Sequence, residues 1–236
     1  RVGISFIAMN LGNEQELGNG YGVFSFVEFP SNHHRKISWN LKLGYGLGYI
    51  AKPFDRVSNR KNIAIGSHFN AIIYANSSWK LKVSEALKLS LGISVVHFSN
   101  ASSSTPNLGI NVFALNSGVS YAFGKKEKFQ KQTTVLPNKK WKKSLRTTFG
   151  IKEILPADGS KYFVTATSFG IMKSRSPKSS LGFSADLFYN NALTQLIKND
   201  SSTTLSTFNN VRIGVGGVYA FDFGRISPRV LAINNQ

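Results

Sequence analysis

Apolar and polar side chains alternate along much of this chain, and alternation with a period of two is typical of β-strands with one apolar and one polar face. The clearest run covers residues 37–50, where apolar residues occupy the odd positions and polar residues or glycine most of the even ones. This run is about twice the usual length of a strand in a soluble protein. A tilted strand of about 9–11 residues already crosses a membrane, so this run is long enough to span one.

The same alternation returns along the chain and predicts ten or eleven strands, with no segment that requires a helix. The predicted strands are 2–8, 21–29, 37–50, 63–75, 86–98, 111–123, 145–155, 161–173, 180–190, 211–223 and 226–233. Long loops fall at one end of these strands: 51–62, 100–109, 156–160 and 190–208. Short connections fall at the other end: 30–36, 76–78, 174–178 and 224–225. This asymmetry is typical of outer-membrane barrels.

We therefore predict an all-β fold, an antiparallel transmembrane β-barrel of about 10–12 strands. It would form a single outer-membrane domain over residues 1–236. Closed bacterial barrels have even strand numbers, so an odd count would indicate missing terminal strands. Because the chain opens directly on strand residues, we also expect it to be trimmed at its termini.

Composition narrows the classes of function. The 236 residues carry a net charge of +18 and no cysteine, so disulfides and thiolate metal sites are excluded. The chain lacks an apolar run of about 18 residues, which excludes a transmembrane helix. Much of the positive charge lies between strands rather than along one face, which argues against a nucleic-acid partner and suits lipid phosphates.

Lysines are concentrated in segment 124–144, which we predict to be a loop between two barrel strands. They are Lys125, Lys126, Lys128, Lys131, Lys139, Lys140, Lys142 and Lys143. Two interpretations stay open: a solvated linker, which is the simpler one, and a surface for anionic lipid or a partner protein.

Candidate chemistry lies at the end of strand 86–98. His97 and Ser99 continue the apolar odd-numbered face, and side chains two apart on a strand share a face. A serine hydroxyl is a poor nucleophile until a base takes its proton, and histidine is the usual base near neutral pH. If this face contacts lipid, the pair suits a substrate that is part of the membrane. The alternative is that both residues only end a strand at the membrane interface.

Three asparagines complete this candidate site. Strand 111–123 should pair antiparallel with strand 86–98, which puts Asn111 on the same face and at the same end as His97. Asn111 would then orient the imidazole, the third role of a catalytic triad. Asn100 and Asn107 are amide donors near the same point, suited to stabilising an oxyanion, as are backbone N–H groups after Ser99.

Other polar residues suggest binding rather than catalysis. The predicted loop 51–62 carries a basic group that would bind lipopolysaccharide phosphates by charge-assisted hydrogen bonds, or would simply be an exposed basic loop. The group consists of Lys52, Arg56, Arg60 and Lys61. His33, His34 and His68 have no second cluster of ligands, so we expect no metal site.

The motif residues resemble a known family. The segment 97–101, His-Phe-Ser-Asn-Ala, followed by 106–111, Pro-Asn-Leu-Gly-Ile-Asn, resembles the signature of the lipid A 3-O-deacylases. Segments 46–55 and 65–67 add to the resemblance, which covers about residues 40–124.

The resemblance implies an outer-membrane barrel with a catalytic site on its lipid-facing wall. His97 would be the general base and Ser99 the nucleophile, while Asn107 matches an oxyanion-hole asparagine and Asn100 the other asparagine of the motif. Asn111 departs from the family, because better-studied members carry glutamate there. Asparagine accepts a hydrogen bond from histidine but does not stabilise an imidazolium by charge.

Taken together, the sequence predicts an outer-membrane serine esterase that removes a fatty-acyl chain from lipid A, with lipopolysaccharide as partner and no cofactor. The alternative is a non-catalytic outer-membrane barrel of a porin-like, adhesive or structural kind, which the departure at Asn111 favours. A soluble ligand-binding barrel of the lipocalin type is a third interpretation.

Overall fold

The computed structural model of this chain describes residues 1–31, 35–124, 141–154, 157–176, 179–199, 210–221 and 229–235. Within these ranges it contains eleven strands and one helix. They are β1 (Val2–Asn10), β2 (Asn19–Pro30), β3 (Ile37–Ile50), β4 (Phe69–Lys82), β5 (Leu87–Ser99), β6 (Ile110–Tyr121), β7 (Trp141–Glu153), β8 (Lys161–Ser176), β9 (Ser179–Asn190), α1 (Ala192–Asn199), β10 (Val211–Phe221) and β11 (Arg229–Asn235). The prediction of an all-β chain built from long antiparallel strands is confirmed.

The strands form two antiparallel sheets. The first has six strands in the order β1-β2-β3-β4-β5-β6, and the second has five in the order β11-β10-β9-β8-β7. The chain divides into two compact units that correspond closely to these sheets: Arg1–Glu127 with Glu153–Gly159, and Lys128–Lys152 with Ser160–Gln236. The short segment Glu153–Gly159 therefore belongs with the first unit, although it begins at the last residue of β7.

The largest departures from the predicted boundaries are in β4 and β7. β4 begins at Phe69, so residues 63–68 extend the preceding loop and residues 76–78 lie inside the strand rather than at a turn. β7 begins at Trp141, within the segment predicted as a loop up to residue 144. Six of that segment's lysines, and the histidines at 33 and 34, lie outside the described residues.

A helix, α1, occupies part of the predicted loop 190–208. Two asparagines satisfy its first amides: Asn190 Oδ1 accepts from Ala192 N–H at 3.0 Å, and Asn210 Oδ1 accepts from Thr194 N–H at 3.1 Å. Among the described helices, none has the length and apolar character needed to cross a membrane.

The first sheet has one exposed apolar face and one inner face. On β5 the odd-numbered residues are the more exposed ones from Leu89 onwards, and Leu91 is 65% accessible, whereas Phe98 on the opposite face is fully buried. The buried core is made by Phe24, Ile50, Ile65, Ile72, Val96, Phe98 and Ile110. Gly48 lies flat against the Phe98 ring, since a Cβ there would come within 2.6 Å of it. An exposed apolar face of this extent is typical of a surface that contacts lipid or another protein.

The inner face of the same sheet also carries charge. Glu28 is buried and forms an ion pair with Lys80, while Lys42 donates to Ser5 Oγ at 2.7 Å and lies 3.8 Å from the centre of the Phe26 ring. Apolar residues outside and charged residues inside reverse the usual order of a soluble protein.

The second sheet shows the same reversal. Phe183, Ile213 and Val215 are exposed, whereas Asp186 on the other face is buried and accepts a hydrogen bond from Ser184 Oγ at 2.8 Å. A small buried cluster of Met172, Val218 and Ala220 lies in this sheet.

Candidate active site

His97 lies near the end of β5, directly opposite the second residue of β6. The register pairs His97 with Asn111, and His97 Nδ1 lies 2.7 Å from Asn111 Oδ1. An amide oxygen only accepts hydrogen bonds, so Nδ1 carries the proton in this contact. The tautomer that results leaves Nε2 of His97 as the proton acceptor.

Ser99 shares the outward face with His97, but its hydroxyl is bound to Asn107. Asn107 Nδ2 donates to Ser99 Oγ at 3.1 Å, and Asn107 Oδ1 lies 3.3 Å from the same oxygen. Two backbone groups complete the arrangement: Asn100 N–H donates to Asn107 Oδ1 at 3.1 Å, and Ala101 N–H donates to Ser99 Oγ at 3.3 Å. Across the described residues, no hydrogen bond joins His97 to Ser99.

The chain turns sharply just after Ser99. Ala101 and Ser102 have φ values of 55° and 62°, and Ser103 N–H donates to the Asn100 carbonyl at 3.1 Å. Positive φ at both central residues defines a type I′ turn. Left-handed backbone costs a non-glycine residue about 1–2 kcal/mol, and such cost is concentrated at functional sites.

Asn100 fastens the loop after this turn. Its Nδ2 donates both hydrogens, to Ser67 Oγ at 2.8 Å and to the Ser104 carbonyl at 2.9 Å. Because a carbonyl only accepts, the amide cannot be flipped. Its Oδ1 is buried and has no hydrogen-bond partner within the described part of the chain. The side-chain donors of Asn100 are therefore engaged, and Asn107 is the side-chain amide donor that contacts Ser99.

The four basic residues of the loop after β3 have different surroundings. Arg56 forms an ion pair of 3.3 Å with Asp158 and also donates to the Ala157 carbonyl. Lys61 lies 3.9 Å from a Glu16 carboxylate oxygen, at the limit of an ion pair. Lys52 donates to the Glu14 carbonyl at 2.9 Å, and Arg60 is exposed.

An open cleft of about 560 Å³ lies beside the loop 100–107, which we call the motif loop. Its lining includes Lys52, Asp55, Ser67 and His68, and Ser67 is the residue that binds Asn100. The Ser58 amide and hydroxyl and the Val57 amide donate to Asp55, and they hold the pKa of that carboxyl below its usual range. The cleft therefore contains a lysine and a carboxylate that stays charged at neutral pH.

Two glycines that sequence analysis did not single out shape this site. A Cβ on Gly109 would come within 2.8 Å of His97 Cε1, and its φ is +79°. A Cβ on Gly66 would come within 2.5 Å of the Thr105 carbonyl oxygen. Gly109 follows Pro-Asn-Leu, a composition typical of turns, so the sequence could have indicated its role. The role of Gly66 could not be predicted, because the residue it contacts, Thr105, lies far along the chain.

The site therefore consists of a hydrogen-bonded histidine and asparagine, and a serine hydroxyl held by a second asparagine, at the end of an exposed apolar strand. Serine, histidine and asparagine are residue types that nucleophilic catalysis uses, and here they lie on a strand face that is apolar and exposed.

The family model described as lipid A 3-O-deacylase (PagL) matches residues 1–120, half of the chain, and the chain belongs to this family. By that description the family consists of enzymes that hydrolyse an acyl ester of lipid A. No curated protein and no solved structure gives a significant match.

Proposed function

We propose that this protein is an outer-membrane esterase that removes a fatty-acyl chain from lipid A, with Ser99 as nucleophile and His97 as general base. The observation that carries the proposal is the contact between His97 Nδ1 and Asn111 Oδ1, which leaves Nε2 as a base on the lipid-facing surface that also bears Ser99. Family membership supports the substrate class.

The first half of the reaction forms an acyl-enzyme. Ser99 Oγ turns from Asn107 towards His97 Nε2, gives up its proton there and attacks the ester carbonyl carbon. Asn107 Nδ2, released from Ser99, and the Ala101 N–H donate to the oxyanion. The bond between the carbonyl carbon and the alcohol oxygen then breaks, and protonated His97 returns the proton to the leaving hydroxyl of the saccharide.

The second half regenerates the enzyme. A water molecule gives one proton to His97 and attacks the acyl-enzyme carbonyl. The bond to Ser99 Oγ breaks, Ser99 recovers its proton from His97, and the fatty acid leaves. Asn111 holds the imidazole throughout and adds no charge of its own.

Mass spectrometry of purified lipid A tests this function. The protein in detergent micelles should remove the mass of one hydroxyacyl chain, and a Ser99→Ala variant of verified fold should not. Identical spectra from both proteins would favour a non-catalytic barrel, for which the absence of a bond between His97 and Ser99 is the supporting observation.

Basic residues of the loop after β3 are proposed to bind the lipid phosphates. Arg56 is paired with Asp158 and Lys61 lies near Glu16, whereas Lys52 and Arg60 form no ion pair with another described residue. Replacing either with glutamine should raise KM about fivefold, since one basic residue near an anionic surface contributes about 1 kcal/mol. Dephosphorylated lipid A should remove this difference. Lys36→Gln, in the connection between β2 and β3, is the control, and an equal rise in its KM would contradict the assignment.

Gly109 sets the position of the His97 ring. A Gly109→Ala substitution should lower kcat by up to about 100-fold, because displacing a catalytic group by about 1 Å has an effect of this size. It should also lower stability by about 1–2 kcal/mol through its positive φ. Gly12→Ala is the matched control, with φ of +83° and no atom within 4 Å of the new Cβ. A similar loss of kcat in both variants would refute contact with His97 as the cause.

A further inference from the structure

Segment Glu153–Gly159 belongs with the first unit of the chain, and its first residue reaches the motif loop. We propose that Glu153 is a positioning residue that holds the loop 100–107 in its active geometry, so that Asn107 meets Ser99. This inference rests on the proposed function. Glu153 lies beyond the residues that the family model matches, so the family match does not assign it a role.

The carboxylate of Glu153 is buried, and its Oε1 is bonded by both the loop and its own segment. Its side chain is among the least accessible in the chain, at 2%. Oε1 accepts three hydrogen bonds: from Thr105 Oγ1 at 2.8 Å, from Thr105 N–H at 3.2 Å and from Asp158 N–H at 2.8 Å. Among the described residues, no cation forms an ion pair with it. A buried carboxylate is tolerated only when such donors replace water, so removing it leaves the Thr105 donors buried and unpaired.

Glu153 also fixes the beginning of the loop. Its backbone N–H donates to the Ser102 carbonyl at 2.8 Å. The two attachment points, Ser102 and Thr105, lie between Ser99 and Asn107, whose side chains meet at 3.1 Å. The geometry of the loop between these two residues therefore depends on a group some fifty positions further along the chain.

The far end of the segment is anchored as well. Arg56, in the loop after β3, forms the 3.3 Å ion pair with Asp158 and also donates to the Ala157 carbonyl. Glu153 is thereby held between two loops of the first unit and does not need to touch the substrate. Because an oxyanion donor acts in the transition state, misplacing Asn107 should lower kcat and leave KM unchanged.

Kinetics of the full chain on lipid A test this role. Glu153→Ala should lower kcat about 100-fold with KM unchanged, the size expected for a misplaced oxyanion donor. Glu153→Gln keeps a side-chain oxygen that accepts the Thr105 bonds and should recover most of the activity. In an Asn107→Ala background, Glu153→Ala should cause no further loss, because both changes remove the same interaction. An equal loss in both backgrounds, or wild-type kcat in Glu153→Ala, would overturn the proposal.

Hydrogen–deuterium exchange provides a second readout that does not depend on catalysis. Exchange in residues 100–107 should rise in Glu153→Ala and stay unchanged in the exposed control Glu14→Ala, with β3 unaffected in both. If exchange in the loop is unchanged in Glu153→Ala, the positioning role is overturned, even if the chain proves inactive. If the wild type is inactive, only the proposed esterase activity is overturned. If Glu153→Ala does not fold, Thr105→Val, which removes one of the three bonds, should show the same rise to a smaller degree.

Discussion

Replacing Ser99 with alanine should lower kcat for acyl release from lipid A by about 10³- to 10⁶-fold, because the acyl-enzyme can no longer form. The residual rate would come from the oxyanion donors and from substrate binding alone. Release of the fatty acid under single-turnover conditions measures the chemical step directly. Ser103→Ala, in the same loop, is the control and should keep wild-type activity.

The His97→Ala variant should be impaired to a similar degree, and the double variant should be no worse than Ser99→Ala. Residues that act as one unit are strongly non-additive, since removing either one already stops the step. Additive losses would mean that His97 and Ser99 act independently, which would contradict the proposed base and nucleophile pair.

The second large effect is expected at Asn111. Asn111→Leu should lower kcat about 10²- to 10⁴-fold, because the His97 tautomer is no longer fixed by an acceptor at Nδ1. The change keeps a side chain of similar size at the exposed start of β6, so the fold should be retained. Unchanged kcat in this variant would show that the 2.7 Å contact between His97 and Asn111 plays no part in catalysis.

Asn111→Glu tests the same contact by strengthening it instead of removing it. A carboxylate favours the protonated imidazole, so it should stabilise the imidazolium that forms during the reaction and raise kcat. An unchanged kcat in this variant would mean that the carboxylate does not reach His97.

Strand alternation was sufficient to predict most of the fold. β3 was predicted with its observed bounds, and β5 and β6 within one or two residues, because each follows a period of two over most of its length. The start of β4 was wrong because Ile63 and Ile65 continue the alternation by chance, whereas Ile65 is in fact buried in a loop. Helix α1 was missed because eight residues between two strands carry too little periodicity to distinguish a helix from a loop.

The pairing of His97 with Asn111 could be predicted from the order of the strands, since two consecutive strands joined by one short loop are antiparallel. The contact between Glu153 and Thr105 could not be predicted in this way. It depends on the end of β7 lying against a loop between β5 and β6, and the sequence pattern carries no information about contacts at that separation. The engagement of Ser99 by Asn107 was also beyond sequence, because it depends on side-chain rotation within a tight turn.

The direct opposition of His97 and Asn111 across β5 and β6 links the proposed chemistry to the assembly of the sheet. Side chains of a strand alternate between faces, so a slip of one residue in this pairing would turn Asn111 inward and leave the histidine without its partner. A chain inserted with the wrong register would thus be harmless to the membrane around it. Hydrolysis of an acyl ester would begin only once the strands had reached their final register. Activity would therefore indicate that the chain is correctly inserted.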